Sequence, residues 1–250
     1  MLFFRSFPRF RDSEKKESIE MNRTIEIIIS ATFLVALSPL ILSVLTVSAI
    51  LTGKFPVIKQ ARSLTLESDR INVYKIRTIR HLKEFRIAEK NSSKIFNKTE
   101  YENFVPLFCA YLRKTGFDEI LQLLNVIKGE MSLIGPRPLI KNDLILMRKA
   151  EPELYERRRN IKSKPGITGY WQIWGNREEG ITNLIELDEY YEKNKSLFLD
   201  LKIVLKTLVV FLTAGHVDAI LGNKKVTAFI SDKKDITKLA NTSLLFDNSQ

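Results

Sequence analysis

The sequence predicts an α+β chain that is mainly helical: a helix–break–helix apolar segment near the N-terminus, then a compact domain of amphipathic helices with a few short strands. Three observations lead there. Residues 27–53 carry no charge and are mostly Ile, Leu, Val, Ala or Phe, interrupted by Ser38-Pro39. The stretches Phe55–Gln60 and Ile71–Arg77 alternate as short strands do. From Asp118 to Leu212 apolar residues recur at helical spacing between Pro and Gly breaks.

Taken in order, residues 1–22 form a polar, basic leader dotted with aromatics, suited to lying at an interface. The apolar run behind it is long enough for a spanning helix, which needs about 20 residues. A polar segment precedes it without an obvious small-residue cleavage pattern, so a removable signal peptide is not expected. Pro39 removes a backbone donor and should kink the helix, and Ser38 offers a local bond to the groups released. Basic residues mark the cytoplasmic side of a membrane. Here they flank both ends, with Arg5, Arg9, Arg11, Lys15, Lys16 and Arg23 before and Lys54, Lys59 and Arg62 after. Pattern alone puts re-entry by one face only slightly ahead of crossing.

Beyond the hairpin, residues 63–70 read as the connection between the two strands, and residues 81–103 as a helix followed by a polar loop. Thr115 and Asp118 resemble a capping box for a helix running to Lys128, where Gly129 offers a left-handed cap. Met131–Ile134 is short and apolar, and Gly135-Pro136-Arg137-Pro138 is a stiff turn. Residues 139–159 form a charged amphipathic helix broken near Glu151-Pro152, 165–169 a turn, and 181–195 a helix. The last segment, 197–212, suits a core helix and an interfacial one equally. From about Asn223 the tail is polar and lysine-rich.

The 250 residues carry a net charge of +11, which fits nucleic acid, anionic lipid or a phosphorylated substrate. No helix-turn-helix, zinc finger or aromatic RNA-binding block is evident, so nucleic acid is not an expected partner. The single cysteine, Cys109, excludes an internal disulfide, and the isolated His81 and His216 give no zinc pattern. Chemistry concentrates at Asp118-Glu119. At helical spacing Asp118, Gln122 and Asn125 share a row with Glu119 beside it, an oxygen-rich set suited to Mg²⁺. Taken alone, two acids in a first turn more often just complement the helix dipole. Arg137, presented from a rigid backbone, suits bidentate phosphate binding. Lys59, Arg62, Lys75, Arg77 and Arg113 crowd the same part of the chain as further candidate phosphate ligands, with Lys114, residues 157–159, Lys162 and Lys164 adding to the basic surface.

The run from Asp118 to Pro138 resembles the signature of the bacterial sugar transferases, the monotopic polyprenyl-phosphate phosphoglycosyl transferases. Gln60-Ala61-Arg62, Tyr74–Thr78, Lys164–Gly169 and Leu199–Ile203 match in order, so the resemblance covers about residues 24–213. It implies that Asp118 attacks the β-phosphate of a UDP-sugar and expels UMP, and that undecaprenyl phosphate then takes the phosphosugar. It implies Glu119 as the partner of a Mg²⁺ cofactor, with Asp118 beside it. It also makes residues 23–53 a re-entrant hairpin broken at Ser38-Pro39, and 54–222 a catalytic domain on the cytoplasmic face of the inner membrane. The chain departs from the family pattern at Leu64 (usually Gly), Pro106–Ala110 (often Thr-Arg-x-Gly-Arg), Gly116 (usually Ser), Leu121 (usually Pro) and Ile79 (commonly Met).

Overall fold

The computed structural model describes residues 22–80, 105–176 and 179–213. The expected leader, the polar stretch 81–103, both histidines and the tail lie outside these residues, Asn22 excepted.

The apolar segment forms two helices, α1 (Arg23–Ala36) and α2 (Ser38–Thr52), bent by 64° at Leu37. Asn22 caps α1 by accepting the Thr24 amide, and Pro39 sits in the first turn of α2, where its missing N–H costs nothing. Ser38 Oγ donates to the Val35 carbonyl at 2.8 Å, satisfying one group that the break releases. No single described helix is long and apolar enough to cross a membrane, but this bent pair passes that test together. Ile28, Val35, Leu42 and Ile50 on its outer side are largely exposed. Its inner side carries Ile41 and Val44, which pack on Ile76, Leu112, Phe117 and Leu121. Glu26 is buried, accepting from Arg23 at 2.8 Å and from the Leu133 amide at 3.0 Å.

Strands β1 (Val57–Arg62) and β2 (Ile71–Ile76) form an antiparallel hairpin with Ile58 opposite Lys75 and Arg62 opposite Ile71. After α3 (Leu107–Thr115), the expected single helix from Asp118 is not continuous. Residues Phe117–Gln122 form a 3₁₀ turn, and only Leu123–Lys128 is α-helical (α4). The expected capping box is absent too, because Thr115 belongs to α3 and its hydroxyl donates back to the Tyr111 and Leu112 carbonyls. Gly129 does close α4 in the left-handed region.

Strand β3 (Ser132–Ile134) pairs in parallel with β4 (Gly166–Thr168), so part of the expected turn at 165–169 is a short strand. The expected break at Glu151-Pro152 separates α5 (Lys141–Ala150) from α6 (Pro152–Arg159). A short α7 (Tyr170–Trp174), then α8 (Gly180–Asn194) and α9 (Leu197–Leu212), complete the described chain. Trp171, Leu144, Met147, Tyr155, Leu184 and Ile185 form the largest core, between α5, α6, α7 and α8. Helix α9 buries Asp200 and Ile203 but exposes Phe198, Leu201, Leu205, Val209 and Leu212, a face neither wholly core nor polar.

Candidate active site

A tight reversal presents the two carboxylates. Gly116 adopts φ +77°, a conformation side chains disfavour, and turns the chain from α3 straight into the 3₁₀ helix. Phe117 and Leu121 anchor that helix against Ile41 and Val44 of α2. Asp118 and Glu119 thus sit at its start, 7% and 6% exposed.

Lys75 of β2 meets Glu119 through an ion pair between Nζ and Oε1, and Arg137 Nη2 stands 4.0 Å from the same oxygen. Arg62 lies on the Lys75 face of the hairpin, since positions 58, 60 and 62 on β1 share a face with 71, 73 and 75 on β2. Its guanidinium donates to Gln60 Oε1 at 3.1 and 2.9 Å and to the Pro138 carbonyl at 3.2 Å, tying the hairpin to the segment that carries Arg137. Arg113 Nη1 donates to Thr78 Oγ1 at 3.5 Å.

These charges drive adjacent carboxyls in opposite directions. Burial pushes Asp118 up to about 6, against the pull of Lys75, and the Glu119 charge adds to the rise. Burial also raises Glu119, but Lys75, Arg137 and Arg62 together outweigh it and hold Glu119 far below the usual carboxylate range. Among the described residues Asp118 has no ion pair within 4.0 Å, whereas Glu119 has two.

Arg137 comes from an extended segment held by close backbone contact. The Gly135 amide donates to the Thr168 carbonyl at 2.9 Å, and the Gly166 amide to the Pro136 carbonyl at 3.1 Å. A Cβ on Gly135 would stand 2.2 Å from the Lys164 carbonyl, and one on Gly166 2.1 Å from the Gly135 nitrogen. The two sequence blocks, 135–138 and 164–169, therefore form one clamp.

Lys75, Arg62, Arg137 and Arg113 surround the carboxylates, and Gln122 is buried in the same turn. Two other expected phosphate ligands point elsewhere. Lys59 lies on the opposite hairpin face, its ammonium 5.7 Å from the Tyr74 ring, and Arg77 Nε donates to the Phe55 carbonyl at 2.9 Å. The row of Asp118, Gln122 and Asn125 is not formed, because the 3₁₀ turn changes the spacing. Asn125 instead accepts the Tyr74 amide at 3.2 Å and donates to the Asn72 carbonyl at 2.7 Å, bracing β2.

A further carboxyl, Asp143 in the first turn of α5, was not singled out by sequence. Burial raises it to about 6 although Arg62 and Arg137 both pull it down. In sequence it is one more acid at a helix start.

Among the described residues no group of three or more His, Cys, Asp or Glu could share a metal. Mg²⁺ does not require one, since it keeps several waters and uses one or two carboxylates plus substrate phosphates. Asp118, buried without an ion pair among the described residues and next to Glu119, fits that mode.

The model of the family described as bacterial sugar transferase matches residues 17–214, a span that contains every element of this site. The chain belongs to the bacterial sugar transferase family. It is 34% identical to the exopolysaccharide production protein ExoY of Sinorhizobium fredii, over 74% of this chain and 83% of that protein. It is 33% identical to the UDP-glucose:undecaprenyl-phosphate glucose-1-phosphate transferase of Klebsiella pneumoniae, over 74% of this chain but 39% of that one. Identity with the undecaprenyl-phosphate galactose phosphotransferase of Salmonella typhimurium is 39%, over 41% of this chain and 20% of that protein. As a bacterial sugar transferase with relatives so named, the chain is a transferase.

Proposed function

We propose that the chain moves a phosphosugar from a UDP-sugar to undecaprenyl phosphate at the cytoplasmic face of the inner membrane, beginning a surface polysaccharide or glycoconjugate. The observation that carries this reading is the divided carboxylate pair: Glu119 fixed as an anion by Lys75 and Arg137, Asp118 beside it without an ion pair among the described residues. A carboxylate without such a partner is available as a nucleophile, and covalent catalysis splits one displacement into two.

In the first step an Asp118 oxygen attacks the β-phosphorus, forming an aspartyl-phosphosugar while the bond to the α-phosphate oxygen breaks and UMP leaves. In the second, the phosphate oxygen of undecaprenyl phosphate attacks the same phosphorus, forming the lipid diphosphate sugar and releasing the Asp118 carboxylate. Arg137 and Arg62 face the incoming phosphates and offset charge that builds on the phosphoryl oxygens. Mg²⁺, held by Asp118 and Glu119, would supply further charge neutralisation on the diphosphate.

The α1–α2 pair is read as re-entrant, with both ends at the cytoplasmic surface. Basic residues on both flanks support that topology. The apolar exposure of Phe198, Leu205 and Leu212 on α9 fits a domain resting on the same surface. The decisive assay is UMP release from a panel of UDP-sugars by detergent-solubilised protein with Mg²⁺ and undecaprenyl phosphate. Release from at least one sugar is expected, and an Asp118→Asn variant turning over normally would remove Asp118 from the mechanism.

A further inference from the structure

Arg158, on α6, is fully buried, yet its contacts are not those of a packing residue. Its Nη1 donates to Asp188 Oδ2 at 3.2 Å, its Nε to the Leu64 carbonyl at 2.7 Å, and its Nη2 to the carbonyl of Arg137. Asp188, on α8, is itself 2% exposed. A buried ion pair is poor evidence for stability, since an apolar pair of similar volume often serves as well or better. What no apolar pair or lysine could do is reach two separate carbonyls and a carboxylate at once. That takes the splayed, planar donors of a guanidinium.

The two carbonyls belong to the segments that carry the phosphate-facing arginines. Leu64 follows Arg62 by two residues, and the other carbonyl is that of Arg137 itself. The same segments are stitched by the Ser63–Leu139 bridge (3.0 and 2.9 Å) and by Arg62 Nη1 on the Pro138 carbonyl. We infer that Arg158, oriented by Asp188, is a positioning residue that sets the spacing of Arg62 and Arg137 for the diphosphate of the sugar nucleotide. Arg158 is fully buried and bonds to two backbone carbonyls and Asp188, so it acts through those two guanidinia. The inference rests on the transferase reading above for what the arginines bind, but not for the positioning itself.

A double-mutant cycle on the full-length solubilised protein tests it. Arg158→Lys keeps a cation opposite Asp188 but cannot hold both carbonyls. It should lower kcat for UMP release about 10- to 100-fold, the scale for misplacing a catalytic group by about 1 Å. In an Arg137→Ala background the same change should cost only roughly threefold or less, because the spacing it sets has lost one of its two members. Asp188→Glu, which shifts the guanidinium without removing charge, repeats the cycle should Arg158→Lys not fold. Hydrogen exchange should speed up in residues 132–139 of either variant while the α1 and α8 segments stay as in the parent. A penalty of equal size in both backgrounds, or unchanged exchange at 132–139, overturns the inference. Absence of UMP release by the parent chain would instead overturn the transferase reading and leave positioning to be decided by the exchange data.

Discussion

Lys75 of β2 closes on Glu119 in the 3₁₀ turn, two side chains that are each less than a tenth exposed and carry opposite charge. One residue earlier, Asp118 is equally buried without such an ion pair among the described residues. The two adjacent acids therefore sit in different electrostatic settings: Glu119 is paired with cations, and Asp118 has no ion pair among the described residues.

The raised Asp118 couples activity and stability in opposite senses. Attack requires the ionised carboxylate, so the transfer rate should fall as pH drops through about 6. A folded-state value above the ordinary 3.8 means that the protonated form is favoured in the fold. Its stabilising contribution is complete below about pH 4 and is lost as pH rises through 6. Asp118→Asn should therefore abolish transfer yet raise stability at pH 8 by about 1–3 kcal/mol, seen as a higher Tm. An Asn variant less stable than its parent at pH 8 would contradict this.

Removing the Lys75 ammonium should release both carboxyls upward. Lys75→Met leaves Glu119 buried with only the weaker pulls of Arg137 and Arg62 and takes away the strongest pull on Asp118. The acid limb of the rate profile should move to higher pH by about 1 unit, and kcat should drop about 100-fold. Stability should fall by about 3–5 kcal/mol near neutral pH, the range for breaking a buried pair on one side. A pH–rate profile of the variant, set beside its urea midpoint, checks both.

Gly135→Ala should be severe although only a methyl is added. That methyl would sit 2.2 Å from a backbone carbonyl with no flexible side chain to yield. The β3–β4 pair must part, taking Arg137 out of reach of Glu119. A loss of about 3 kcal/mol or more and near-complete loss of transfer are expected, measured by thermal unfolding and UMP release. Gly53→Ala, where nothing lies within 4 Å, should cost only the strain of its φ of +70°.

Topology is open to labelling. In a Cys109→Ala background, Glu20→Cys and Lys54→Cys place one thiol on each side of the hairpin in sequence. Re-entry predicts that an impermeant maleimide labels both in inside-out vesicles and neither in right-side-out ones. Labelling from opposite sides would establish crossing.

Much of this was legible in the chain because local chemistry decided it. The Ser38-Pro39 break, the alternating hairpin strands and the Glu151-Pro152 interruption follow from proline sterics and side-chain period, and all three occur in the structure. The 3₁₀ turn at Asp118 was not legible. Its sequence suits an α-helix, and the shape comes instead from Gly116 in the left-handed region and from Phe117 and Leu121 packing on α2. Lys59 and Lys75 looked alike as basic residues near strands, and only the hairpin register sends one to Glu119 and the other to Tyr74. Arg158 could not be told from its neighbours Arg157 and Arg159, since its role lies in carbonyls 21 and 94 residues away.

The most direct measurement is intact-peptide mass spectrometry after incubating the protein with a turned-over UDP-sugar and no lipid acceptor. A phosphosugar adduct on the peptide containing Asp118, discharged when undecaprenyl phosphate is added, is the predicted result. An adduct on another residue, or full transfer with no covalent species at any time, would contradict the assignment of Asp118 as the nucleophile.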